Sequence, residues 1–209
     1  MVRSTRTVLK QRILEEARQV LEAEGVNALS TRRLAKAVGC TATSLYIYFD
    51  NKEALLHVLM EEGFEKLGEE LKACTATTSP AERPRALANT YLNFGLNHPA
   101  WYELMFLLPA ERLGSPYPPE KYRQGRRYLE RLSEALTGDI DSSLAGEQTL
   151  IQATLLWSHL HGLLSLILAG RVDASLDRQT LIDAALDRAL PSPNAKGATR
   201  APGSVDLPS

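Results

Sequence analysis

With 209 residues, 44% of them apolar, and a formal net charge of −1, the chain can bury a good core, and it is no polycation that would coat nucleic acid indiscriminately. Its two cysteines, Cys40 and Cys74, have neither CxxC spacing nor a partnering histidine cluster, which argues against a zinc site or disulfide framework and fits a reducing compartment. The basic N-terminus lacks an apolar h-region, and the most hydrophobic run, 155–170, falls short of the roughly 20 residues of a membrane span, so a cytoplasmic protein that does not enter a membrane is expected.

The elements read as helices throughout, with no strand alternation and no internal repeat. Leu9, Ile13, Ala17, Val20 and Leu21 follow helical spacing over about 5–24, and Gly25 stops that helix. Ser30 or Thr31 caps a short second helix with Leu34, Ala35 and Val38 on one face, ended by Gly39. Thr41 caps a third, where Leu45 and Phe49 point inward together. Asp50 followed by Glu53 resembles a capping box opening a long fourth helix with Leu56, Met60, Gly63, Leu67 and Leu71.

Residues 74–84, rich in Ala, Thr, Ser and Pro, read as a loop. A fifth helix carries Leu87, Tyr91, Phe94 and His98; Pro99 starts a short sixth, which Pro109 closes. After the proline-rich stretch 109–119, Tyr122, Leu129, Leu132 and Leu136 outline a seventh helix ending at Gly138. Residues 147–169 form an eighth, apolar nearly all round, whose faces must therefore be covered by protein. Asp177 caps a ninth with Leu181, Ala185 and Ala189, and the aperiodic tail 191–209 reads as disordered. The fold class is all-α.

Two short helices joined by a glycine turn are the pattern of a helix-turn-helix. Leu34, Val38, Cys40, Leu45 and Phe49 fill its interior, which leaves Ala42, Thr43, Ser44, Tyr46, Ile47 and Tyr48 facing outward. Charge agrees with a reading surface there, since through Glu53 the chain has nine basic and six acidic side chains, with Arg3, Arg6, Lys10 and Arg12 before any acid. The stretch "TRRLAKAVGCTATSLYIYFDNKEALL" resembles the DNA-binding signature of the TetR family of bacterial transcriptional regulators, a likeness running from about residue 9 to 59.

That resemblance implies a DNA-binding domain over 1–51, a ligand-binding and dimerisation domain over 52–190, and a repressor released from a palindromic operator by a small molecule. By position it implies DNA contacts at Thr31, Arg32, Thr43, Ser44, Tyr46, Tyr48 and Lys52, the tyrosines and Lys52 on phosphates and Arg32 on a base edge or the backbone. Arg3, Arg6 and Lys10 read either as an arm towards the minor groove or as a solvated charged end. The chain departs from the family pattern at Thr43, where Gly or Pro is common, and at apolar Ile47. Residues 42–48 contain no Arg, Lys, Asn or Gln, so specificity is expected to lean on Arg32, thymine methyls and DNA shape.

In the larger domain Tyr91, Phe94, Trp101, Tyr102, Met105, Phe106, Trp157 and His161 have the make-up of a site for a small apolar or aromatic ligand, although such stripes also serve as plain core. "WSHLHGLLSLILAG" resembles the Trp-His-Gly segment of one class of TetR-type C-terminal domains. His159 and His161, two apart on a helix, point to different faces and make poor joint metal ligands; satisfied buried histidines are expected, with no metal and no cofactor. Helices eight and nine, with Gly162, Ser165, Ala169, Leu181 and Ala185, are expected to pair two copies as a homodimer. No GxSxG, HExxH, paired Cys or Gly-rich phosphate loop assembles a catalytic centre, which leaves a helical hydrolase and a DNA-bound scaffold without inducer as the alternatives.

Overall fold

The computed structural model describes residues 2–114 and 146–190. Eight α-helices lie there: α1 Val2–Glu24, α2 Thr31–Val38, α3 Ala42–Leu45, α4 Lys52–Thr77, α5 Arg83–Asn97, α6 Pro99–Tyr102, α7 Gly146–Leu168 and α8 Arg178–Ala189. The all-α expectation holds, with no strand among the described residues. The helix expected around Tyr122–Gly138 and the tail from 191 lie outside the described residues.

α1 to α3 form a small head. Ile13, Ala17, Val20 and Leu21 of α1 are buried against Leu34, Ala35 and Val38 of α2 and against Leu45 and Phe49. Ser30 caps α2 by accepting from the Arg33 amide at 3.3 Å, so Thr31 is the first helical residue. At the other end Gly39 is left-handed (φ 74°), and the Cys40 and Gly39 amides donate to the Ala35 and Lys36 carbonyls. This Schellman closure is where a side chain would be strained, and it turns the chain into α3. α3 is shorter than its apolar spacing suggests. It ends at Leu45, and residues 46–48 continue as turns.

α4 is 26 residues long, about 39 Å at 1.5 Å per residue, and joins the head to the larger body. Its cap is Asn51, whose side chain accepts from the Ala54 amide at 2.7 Å, one residue later than the Asp50–Glu53 pattern suggests. α4 also runs through Thr77, into the stretch 74–84 expected to be a loop. There Thr75 and Thr77 donate to the Lys72 and Ala73 carbonyls at 2.9 and 3.4 Å, and Thr78 to Cys74 at 2.7 Å, so the hydroxyls bond back to the helix without ending it.

α5 lies on α4, α7 on α5 and α8 on α7. Gly95 lets α5 and α7 approach: a Cβ there would sit 2.3 Å from Leu164 Cδ2 and 3.0 Å from Tyr102 Cδ2. Asp177 caps α8 as expected, accepting from the Thr180 amide at 2.8 Å. Ile182 and Leu186 turn inward, while Arg85 of α5 reaches Asp183 at 3.4 Å and pairs with Asp187.

α7, expected to be apolar nearly all round, has two unlike sides. Ala153, Leu156, Leu160 and Leu164 are buried, but Ile151, Leu155 and Leu166 are 46%, 59% and 51% exposed. Its segment Ile151–Leu168 has a mean hydropathy of 1.3, enough in length and composition to cross a membrane, yet one face is seated on α5. Among the described residues, then, one side of this helix is covered and an apolar side is exposed.

Candidate nucleic-acid interface

On the head, Leu45 and Phe49 anchor the reading segment from inside, and the outward positions separate into two groups. Thr43, Tyr46 and Ile47 are exposed, whereas Ala42, Ser44 and Tyr48 are half-buried. The Ser44 hydroxyl lies 2.8 Å from Thr41 Oγ1 in the cap, and Tyr48 packs on the core. The Tyr46 hydroxyl lies 3.5 Å from Thr31 Oγ1, so α2 and the reading segment share a polar edge. Arg32 is exposed next to it, and Arg33 pairs with Glu24 at the end of α1, which sets the angle of α2. Lys52 is half-buried in the first turn of α4, and Lys10 stands 5.7 Å from the Phe49 ring. Thr31, Arg32, Thr43, Ser44, Tyr46, Tyr48 and Lys52 therefore all lie on α2, the reading segment or the first turn of α4. Ile47, which sequence reasoning set aside as a departure, is at 59% more exposed than Tyr46 at 47%. Its position four residues after Thr43 was the available signal.

In the body the aromatic residues divide into two sets. Tyr91, Tyr102, Phe106, Trp157 and His161 form one cluster, with Tyr102 and Phe106 ring centroids 5.1 Å apart and Trp157 and His161 5.3 Å apart. Trp157 Nε1–H donates to the Tyr91 hydroxyl at 3.1 Å, which lies 3.1 Å from the Tyr102 hydroxyl, and Tyr102 Oη is 2.5 Å from His161 Nδ1. An order that satisfies these groups has Tyr91 donating to Tyr102 and Tyr102 to a neutral His161. Burial holds the His161 imidazole below its ordinary value, favouring that neutral form, and pushes the Tyr102 phenol up against the opposing bond to Tyr91. The Ser165 hydroxyl, expected at a subunit interface, is buried. His159 is exposed rather than buried, and no metal-binding group occurs among the described residues.

The sign of the His161 effect is fixed. The unfolded chain takes up the proton near pH 6.5 and the folded chain only lower, so stability falls as pH drops from about 6.5 towards the folded value. A His161→Asn variant is expected to lose less melting temperature than the wild type between neutral and mildly acid pH; parallel curves would contradict the neutral imidazole.

Phe94, Trp101 and Met105 make no hydrogen bond within this cluster. Phe94 is buried and packs on His98, with ring centroids 5.2 Å apart. Trp101 Nε1–H donates to Glu22 of α1 at 2.8 Å, with Lys66 5.7 Å from its ring. Met105 packs so closely on Gly63 of α4 that a Cβ there would lie 2.6 Å from its sulfur. After α6 the chain forms a π-helix, Glu103–Leu107, and then a 3-10 turn, Ala110–Leu113. Segment 99–114 consequently touches both regions. Tyr102 and Phe106 enter the cluster, while Arg112 donates to Asn27 at 2.9 Å and His57 Nε2–H donates to the Leu113 carbonyl at 2.7 Å. Arg18 adds a bidentate bond to Glu62 at 2.7 and 2.9 Å, which raises its pKa and ties α1 to α4.

A helix-turn-helix head carried by one long helix on a larger helical body defines a DNA-binding transcriptional regulator. Residues 13–67 match the model of "Bacterial regulatory proteins, tetR family" and residues 85–189 that of "Tetracyclin repressor-like, C-terminal domain". The chain belongs to the TetR family of bacterial transcriptional regulators.

It is 26% identical over 156 residues to YobS, an uncharacterised HTH-type transcriptional regulator of Bacillus subtilis, covering 74% of this chain and 76% of the relative. The crystal structure of the protein SCO4313 superimposes with a TM-score of 0.75 at 26% identity, over 90% of this chain and 98% of that one. PfmR, a TetR family regulator from Thermus thermophilus, shares the fold with a TM-score of 0.57 at 20% identity, over 86% of this chain and 97% of its own.

Proposed function

We propose that the protein is a cytoplasmic repressor that binds a palindromic operator as a homodimer and is released when a small apolar or aromatic molecule occupies the body, acting by binding and not by catalysis. Residues 1–51 form the DNA-binding domain and 52–190 the ligand-binding and dimerisation domain. Arg32 meets a base edge, Thr43 and Ser44 line the groove beside it, and Tyr46 and Tyr48 meet phosphates together with Thr31. Lys52 and the free amides at the start of α4 hold a phosphate. Half-sites one helical turn apart, about 34–36 Å, call for two copies, and the open faces of α7 and α8 pair them.

The observation that carries the switch is the path of segment 99–114, which has Tyr102 and Phe106 in the aromatic cluster and Trp101, Met105 and Arg112 against α1, α4 and Asn27. A molecule inserted beside Tyr91, Tyr102, Phe106, Trp157 and His161 shifts this strap and with it the head. Trp101 and Met105, on the same strap, transmit its displacement. A coupling of about 1–3 kcal/mol changes DNA affinity about 5- to 150-fold.

Operator fragments selected from random DNA, followed by titration with a panel of small aromatic and apolar compounds, test the whole reading. A compound that changes tryptophan emission should also release DNA, and Tyr91→Phe with His161→Ala should abolish release while retaining DNA binding. Release that survives in that variant would remove the cluster from the switch. Lys52→Ala should weaken binding about equally for all sequences and lower the slope of log affinity against log salt by about 1; an unchanged slope would remove Lys52 from the phosphate contacts.

A further inference from the structure

We infer that Thr43 and Ile47 read thymine C5-methyl groups in the major groove, so that each half-site is recognised at its centre by apolar contact instead of paired hydrogen bonds. The inference rests on the DNA-binding reading above and names what the binding face selects. Leu45 is fully buried and Phe49 nearly so, which fixes the inward direction of the segment. Thr43 lies two positions before Leu45 and Ile47 two positions after it, and both are exposed, so they face away from the core. The Ile47 amide donates to the Ser44 carbonyl at 3.3 Å and the Phe49 amide to Leu45 at 3.1 Å, so bonded turns hold the segment past the end of α3.

The residues on either side are drawn off the centre. Ser44 is engaged with Thr41, Tyr46 leans towards Thr31 on α2, and Tyr48 packs on the core. An exposed isoleucine alone says little. Here it is the most exposed large apolar side chain among the described residues of the head, in a segment whose residues 42–48 include no side chain able to grip a base through two hydrogen bonds. In the major groove the C5-methyl is the apolar mark that separates thymine from the other three bases. The methyls of Thr43 and Ile47 match it, whereas the hydrogen-bonding edges of guanine and adenine would be left desolvated against Ile47.

The test uses the full chain and its selected operator, with thymines replaced one at a time by deoxyuridine. That exchange removes the methyl and leaves every hydrogen-bonding edge in place. Wild-type affinity should fall about fourfold for each methyl in contact, the transfer value of one buried methyl group. Ile47→Ala should bind the thymine operator more weakly and lose the preference for thymine over uracil at one position per half-site, and Thr43→Ser should do so at a neighbouring one. Ile47 is exposed, so this variant keeps the fold; Lys52→Ala, the control, should lose affinity for both operators by the same factor. Equal wild-type affinity for thymine and uracil operators, or a preference that persists in Ile47→Ala, would overturn the inference while leaving DNA binding intact. Failure of the wild type to select any fragment would overturn the DNA-binding reading with it.

Discussion

Replacing Leu155 and Leu166 together by glutamate is expected to leave the subunit folded, convert the proposed dimer to monomer and weaken operator binding about 10²- to 10⁴-fold. Both side chains are more than half exposed on the open face of α7, so the change opens no cavity. Gly162 is exposed on the same helix and Ala169 just past its end, and nothing lies within 4 Å of a Cβ placed on Gly162, so a partner helix can come close. His159 and Arg188 flank a hollow between α7 and α8 that Leu155 and Leu156 help to line. Glutamates in such an interface would be desolvated without cations to pair them all. The large effect on DNA comes from linkage: the second half-site is bound intramolecularly only while two heads are joined, and separated heads forfeit that effective concentration. Sedimentation of the free protein and titration of full and half operators would decide it. A double variant that remains dimeric, or that binds the full operator as before, would rule out α7 as the interface.

Gly95→Ala is expected to destabilise the body by about 1–3 kcal/mol, the usual range for forcing an extra methyl into a packed core. Alanine favours a helix over glycine by about 1 kcal/mol, so the local preference opposes this effect and packing must decide. The added methyl would meet Leu164 Cδ2 at 2.3 Å and the Tyr102 ring at 3.0 Å, and both side chains are fully buried. Neither can move without disturbing α7 or the bond from Tyr102 to His161. A fall in denaturant midpoint with an unchanged m-value is the expected readout. Leu164→Ala combined with Gly95→Ala should destabilise less than the two single changes added together, because the cavity of one receives the methyl of the other. Strict additivity would show that the two residues do not meet in solution.

The head was legible because its signals are local. A cap, a small residue at the crossing, a left-handed glycine and apolar residues at helical spacing all lie within twenty positions, and Ser30, Ala35, Gly39 and Leu45 take the places those signals imply. Where the reading slipped, side chains were making bonds that composition does not reveal. Thr75, Thr77 and Thr78 look like loop residues until their hydroxyls are seen bonded to carbonyls of their own helix. Asn51 displaced Asp50 as the cap because one position decides which side chain reaches the free amides. In the body, periodicity identified the aromatic residues but could not sort them. Trp101 and Trp157 both lie on helices, and only the packing of α6 against α1 sends one to Glu22 and the other to Tyr91. Spacing also showed that α7 is apolar without showing which side its own chain covers.

The π-helix at Glu103–Leu107 would give the proposed switch a fixed stroke if the switch works by relaxing it. Its closing amide, that of Leu108, donates to Glu103 five residues back at 2.9 Å, so the turn holds one residue more than an α turn would. Relaxing that turn would advance whatever follows by one residue, about 1.5 Å along the axis and 100° around it, or leave it in place. Under the proposed coupling, compounds of different size would then deliver the same mechanical output and differ only in how often they trigger it.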